Sequence, residues 1–234
     1  MRMFLIALSI IITGGKQLYA QQSDTWSKIL APAQTQQTFS SKLHTSLFDN
    51  LGIQRAYHFG DASGKYYLVL CESRNEIKEG DTINHKIKAF LLHDKGNGTP
   101  EKFAELNDFI NSHDRQNGAE TSIWFWTKFC ELEDLDKDGH IDPLIVYGTK
   151  GINGLDDGRI KIMLYHNKQK IAIRIQNGIL DDERNIRIDD AFYKLPIPAQ
   201  QHIRQLMHTL SEKDLVIYPT GYEKAMDKKQ LQID

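Results

Sequence analysis

Asp134-Leu135-Asp136-Lys137-Asp138-Gly139-His140-Ile141-Asp142-Pro143-Leu144-Ile145-Val146-Tyr147 is the stretch that decides the fold. Aspartates stand at loop positions 1, 3, 5 and 9, and glycine at position 6. Carboxylates this crowded repel one another unless a cation sits among them. A hard divalent ion with oxygen ligands suits the spacing, and calcium suits it best. Asp134, Asp136 and Asp138 supply carboxylate oxygens in this reading. Gly139 permits the sharp turn, His140 offers its backbone carbonyl, and Asp142 binds directly or through water. The spacing favours a metal over a bare Asp-rich turn. An EF-hand needs a bidentate Glu at position 12, and Ile145 stands there instead. Pro143 follows the loop at once and leads into Leu-Ile-Val-Tyr, which reads as strand. The loop therefore joins two strands, and the fold around it is β-rich.

Upstream, Ser122 to Glu133 reads as one strand. Ile123, Phe125, Thr127 and Phe129 alternate with Trp124, Trp126, Lys128 and Cys130. Both faces are largely apolar, which places the strand centrally. Trp124 and Trp126 read as core rather than as an exposed sugar-stacking platform. Arg55 to Phe59 and Lys65 to Glu72 flank Gly60-Asp61-Ala62-Ser63-Gly64, a hairpin signal. Ile87 to His93 is a further strand. Phe103 to Ile110 supports helix and strand equally: Thr99-Pro100-Glu101 resembles a helix start, but its neighbours are strands. Downstream, Leu144 to Gly148 completes the loop hairpin. Arg159 to His166 and Lys170 to Gln176 alternate with period two, as half-buried antiparallel sheet does. Pro198 to Glu212 is a helix with Ile203, Leu206, Met207 and Leu210 as its apolar stripe. The expected fold class is α+β, predominantly an antiparallel meander of hairpins with a C-terminal helix.

The N-terminus speaks to compartment. Arg2 precedes an apolar run from Met3 to Thr13, too short to span a bilayer. Leu18-Tyr19-Ala20 offers a cleavage site, so residues 1–20 read as a secretory signal peptide rather than an uncleaved anchor. No Cys lies near that point to take a lipid. The expected location is periplasmic or secreted, with no membrane span after cleavage. Loss of Arg2 and Lys16 takes the formal charge from −2 to −4. That acidity gives no reason to expect nucleic acid. Residues 21–45, rich in Gln, Ser and Thr, read as a poorly ordered lead-in with at most a short helix. Residues 46–222 read as a single β-rich domain, and 223–234 as a polar, fraying tail. About 210 residues are enough for one well-cored domain. Cys71 and Cys130 are the chain's 2 cysteines. A disulfide between them would stabilise the fold by roughly 4 kcal/mol in the chain-entropy model. Two buried free thiols are the equal alternative.

The Asp-rich loop entering an apolar strand resembles the FG-GAP and VCBS type of extracellular calcium hairpin. That hairpin recurs in β-propellers; here it occurs once, so a whole propeller is not implied. More of the chain, about residues 55–195, resembles a bacterial envelope family associated with surface polysaccharide (lipopolysaccharide) biosynthesis. The resemblance rests on Gly64-Lys65-Tyr66-Tyr67-Leu68-Val69-Leu70, Leu106-Asn107-Asp108-Phe109-Ile110 and the loop with its apolar strand. In that family the loop often reads Asp-Leu-Asp-Lys-Asn-Gly, so Asp138 here is the better calcium ligand. The resemblance implies an envelope role with surface polysaccharide or another envelope protein as partner, and carries over no catalytic residues.

Enzymatic motifs are sparse. Asp156-Asp157, Asp181-Asp182-Glu183 and Asp189-Asp190 are acidic clusters of the kind glycosidases use in pairs. Their surroundings read as solvated turns, or as extra ligands for a cation. The 9 histidines show no zinc spacing. There is no Gly-x-Ser-x-Gly and no phosphate loop. The expected function is a non-catalytic, calcium-binding envelope protein that binds surface polysaccharide or assists its biosynthesis. A calcium-dependent hydrolase of glycan or peptidoglycan, and a structural partner of another envelope protein, are the alternatives.

Overall fold

The structure, a computed structural model, describes residues 25–111 and 119–234. The signal peptide expected at 1–20 lies outside them. In chain order the elements are β1 (Trp26–Ile29), α1 (Pro32–Thr38), α2 (Ser41–Phe48), β2 (Gly52–Asp61), β3 (Gly64–Glu72), β4 (Glu76–Lys78), β5 (Asp81–Ile83), β6 (Lys86–His93), β7 (Glu101–Phe109), β8 (Ser122–Phe125), β9 (Glu131–Glu133), β10 (Asp142–Lys150), β11 (Arg159–His166), β12 (Gln169–Gln176), β13 (Asn185–Ile188), α3 (Ile197–Glu212), α4 (Tyr222–Asp227) and β14 (Gln232–Ile233). Two antiparallel sheets carry the fold. One runs β1-β2-β3-β6-β7; the other runs β14-β13-β12-β11-β10-β8, with β9 also paired to β10. The expected α+β class, dominated by antiparallel sheet with a C-terminal helix, is what the chain adopts.

Strand alternation sorts the side chains into layers. From the first sheet, Leu68, Leu70, Ile87, Ala89 and Leu91 point inward; from the second, Ile123, Phe125, Ile145, Tyr147 and Met163 meet them in one core. The alternate residues of the same strands point outward. Tyr67, Val69, Cys71, Phe90 and Leu92 pack under Phe39 and Phe48, which belong to the α1–α2 segment. Leu144, Val146, Ile160, Ile162, Leu164 and Ile173 pack under Ala199, Ile203, Leu206, Met207 and Leu210 of α3. The molecule is thus four layers deep: helix, sheet, sheet, helix. Both sheets are covered on both faces in their middle strands, a pattern more usual for parallel sheets.

Three expectations change, and the segment left open between helix and strand resolves. The lead-in is not poorly ordered from Trp26 onward: β1 pairs with β2 over four residues, and α2 carries the fully buried Phe48. Its polar composition hid one aromatic anchor, Phe39, and Phe48 follows just beyond it. The segment 103–110 is strand, because β7 completes the edge beside β6. The long strand 122–133 is interrupted by a 3₁₀ turn at Thr127–Phe129. That turn reverses the alternation, so Cys130 and Leu132 join Ile123 and Phe125 while Phe129 packs on the α3 side. Trp126 lies in that α3-side core, over Gly148. The tail does not fray either: Met226 and Ile233 are buried, and β14 pairs with β13 through Ile186 and Ile233.

Cys71 and Cys130 are both free. Cys71 faces the α1–α2 layer and Cys130 the core between the sheets. The first sheet therefore stands between them and rules out the bridge. Burial pushes both thiols up, Cys130 to about 12. The folded protein should leave both unreactive toward a thiol reagent at neutral pH. Denaturation without reductant should expose two thiols; finding none would overturn this placement.

Candidate functional site

The aspartate loop connects β9 to β10. Lys137 and Gly139 adopt left-handed backbone, with φ of 63° and 88°; at the second position glycine removes the steric cost. The Asp134 carboxylate accepts the amides of Asp138 (3.0 Å) and Gly139 (2.9 Å). Asp138 in turn accepts the amide of His140 at 2.9 Å. These bonds curl the loop until Asp134, Asp136 and Asp138 each place an oxygen within 4.8 Å of the others. Like charges that close repel by about 1 kcal/mol per pair even in water. The donor set is all oxygen, which fits a hard cation. Among the described residues, these three are the only cluster of this kind.

Asp142 is not part of it. Its carboxylate takes Nδ1 of His166 at 2.9 Å and the amide of Leu135 at 3.1 Å, and is almost fully buried. Burial raises its pKa against the lowering effect of His166. Asp142 itself begins the buried strand β10, so the position 9 carboxylate serves His166 and the Leu135 amide rather than the Asp134–Asp136–Asp138 cluster. Asp142 fastens the loop's exit to the β11–β12 turn. His140 stays at the loop, with Nδ1 4.0 Å from the Asp61 carboxylate.

Asp61 is the residue that sequence reasoning missed. It sits at the tip of the β2–β3 hairpin in the first sheet. One oxygen accepts the amide of Ser63 at 2.8 Å; the other accepts the amide of Ile141 at 3.2 Å. Beside it, the amide of Ala62 donates to the Gly139 carbonyl at 3.0 Å. The hairpin tip thus docks on the aspartate loop and joins the two sheets there. The Asp-Ala-Ser-Gly turn was legible as a turn, but its contact with a loop 80 residues away was not.

The far end of the sandwich is fastened differently. Glu72, buried, accepts the amide of Phe125 at 3.0 Å and the side-chain amide of Asn84 at 3.1 Å. Nearby, Asp108 on β7 receives Lys161 Nζ at 2.7 Å, Arg159 at 3.2 Å and the Tyr147 hydroxyl at 3.0 Å. Glu120 takes Arg159 Nε at 2.5 Å and the Thr149 hydroxyl at 2.8 Å. Burial alone would raise Asp108, but Lys161 and Arg159 outweigh it and hold its carboxyl below the ordinary value. Burial, and then Asp108, push the Tyr147 phenol well up.

The acidic clusters bond locally, except that Asp157 Oδ1 is buried without a hydrogen-bond partner among the described residues. Asp157 accepts the Asn153 amide at 3.0 Å. Asp181 binds Arg184 at 3.2 Å and the Thr220 amide at 3.3 Å. Asp189 holds Arg174 at 2.6 Å and the Ala172 amide at 2.9 Å. Asp156 and Asp182 lie exposed in turns. No family model matches the chain, and no curated protein or solved structure does either, so what it does has to be read from its own residues.

Proposed function

We propose that this chain is a non-catalytic, calcium-binding protein of the cell envelope that binds surface polysaccharide or assists its biosynthesis. The observation that carries the reading is the convergence of Asp134, Asp136 and Asp138 on one point in a loop that also docks the opposite sheet. A cation there neutralises the three carboxylates and stiffens the contact with the β2–β3 tip. Its role is stability: it staples the turn between β9 and the buried strand β10. With three carboxylates and no bidentate Glu, the affinity belongs on the order of 10⁻⁵ to 10⁻³ M.

Calcium at 100 times its dissociation constant should stabilise the fold by roughly 2.7 kcal/mol. For a domain of this size that raises the melting temperature by about 5–10 °C. Asp136→Ala and Asp138→Ala should abolish the gain. Asp142→Asn should lower stability and keep the calcium response, because Asp142 serves His166 and Leu135. An unchanged melting temperature in calcium and in chelator would sink the metal reading. Turnover of envelope glycan or peptidoglycan that disappears on mutating Asp156, Asp157, Asp181 or Asp182 would replace this reading with the hydrolase.

A further inference from the structure

The first sheet does not cover the whole inner face of the second. Its edge strand β7 reaches β11, where Asp108 meets Lys161. Beyond that edge, the inner faces of β12 and β13 line a cleft of about 530 Å³. Lys161, Arg174 and Arg187 stand side by side across it, since Lys161 is paired with Arg174 and Arg174 with Arg187. Gln176 and Asn185 form the neighbouring cross-strand pair. Phe109, 61% exposed, stands on the rim.

This row is costly as structure. Like charges directly opposite on adjacent strands destabilise a sheet, and here two such pairs are adjacent. Asp108 offsets Lys161, and Asp189 offsets Arg174. Arg187 has no partner among the described residues. Four cations line the cleft against three carboxylates, Asp108, Glu120 and Asp189, which leaves one positive charge over in a chain whose net charge is −2. An anion is what the arrangement lacks. Two guanidinium groups suit a planar carboxylate through paired hydrogen bonds. The Gln176 amide nitrogen is held by the carbonyls of Asp157 and Asn177, so the Asn185 amide and the Gln176 oxygen are what suit hydroxyls, and the Phe109 ring suits an apolar sugar face. The volume falls within the range of small-ligand sites.

We propose that the cleft between β7 and β11–β13 binds a carboxylated sugar unit of an anionic polysaccharide. The inference rests on the polysaccharide-binding reading above and adds to it the site and the charge of the ligand. The carboxylate lies between Arg174 and Arg187, and the hydroxyls face Gln176 and Asn185.

The test is calorimetric titration of the full chain with trigalacturonate, a sialic acid trimer and the neutral maltotriose. Each is run in calcium and in chelator, so that binding through the aspartate loop is separated from binding in the cleft. At least one acidic trimer should bind saturably in both buffers and bind more weakly as salt rises; maltotriose should not bind. Arg187→Glu should reduce that affinity at least tenfold with a melting temperature no lower than that of the wild type, because Arg187 is exposed, its side chain holds no other group among the described residues, and a Glu opposite Arg174 relieves the like-charge pair. Arg174→Gln should also weaken binding, at some cost in stability because it frees Asp189, and Arg187→Lys should retain more binding than Arg187→Glu. Failure of both acidic trimers, or binding indifferent to Arg187→Glu, would overturn the proposal. Maltotriose binding insensitive to Arg187→Glu would overturn it too, yet leave the broader polysaccharide-binding reading standing. Acidic binding seen only in calcium would reassign the ligand to the aspartate loop.

Discussion

Phe48→Ala should destabilise the protein by about 3–5 kcal/mol, the range for emptying a fully buried aromatic site. At about 2–4 °C per kcal/mol, the melting temperature should fall by about 10 °C. Phe48 is fully buried, and its ring lies 5.3 Å from Phe39 and 5.1 Å from Phe90. Those contacts join α2 to the outward face of β6. The substitution therefore measures whether the N-terminal helices are a layer of the fold or an appendage. Urea unfolding of the full chain decides it. A change below about 0.5 kcal/mol, the scale of an ordinary surface substitution, would show that the first sheet's outer face does not depend on α2.

Asp108→Ala should cost about 3 kcal/mol at neutral pH, because it leaves Arg159 and Lys161 half-buried without one of their carboxylates and the Tyr147 hydroxyl without its acceptor. The loss should depend on pH in a defined direction. The folded-state pKa of Asp108 lies below its ordinary value of 3.8. Its contribution is therefore complete above that ordinary value and is lost as pH falls through the lowered one. The stability gap between wild type and Asp108→Ala should stay constant from pH 7 to about 5 and close below about pH 4. A gap that persists undiminished at pH 3 would show that the carboxylate's charge does not matter there.

Much of this architecture was legible in local patterns. The turn-bounded apolar run Lys65 to Glu72 and the period-two run Arg159 to His166 are strands, and the Ile203, Leu206, Met207 and Leu210 stripe is the buried face of α3. What local patterns do not carry is which face meets what. Leu70 and Cys71 are equally apolar, and only the stacking of layers sends one to the opposing sheet and the other toward α2. Hence the cysteines could not be paired or separated from sequence. Phe39, Phe48, Met226 and Ile233 were overlooked for a related reason. Each is a lone anchor in a polar stretch, too isolated to make a period. The loop shows the same limit at smaller scale. Spacing placed Asp134, Asp136 and Asp138 correctly on one turn, because all three lie within it. Asp142 and Asp61 depended on His166 and Ile141, partners set by the stacking of distant strands. The cation row at Lys161, Arg174 and Arg187 was equally hidden, since each residue alone reads as the polar half of an alternating strand.

The polar contacts at the two ends of β10 have a mechanical consequence. Two apolar faces pressed together resist being pulled apart, but they oppose gliding weakly, because one greasy offset is nearly as good as the next. Directional bonds do oppose it. Asp61 and Ala62 pin the hairpin tip to Ile141 and Gly139 at one end; Glu72 pins Phe125 at the other. With a peg at each end, the sheets have one permitted offset, and shear along the strands must break both sets of bonds together. Amides on either side of the interface should therefore exchange with solvent as one cooperative block, and cutting one peg, by Asp61→Ala or Glu72→Gln, should release sliding motions that the intact pair forbids.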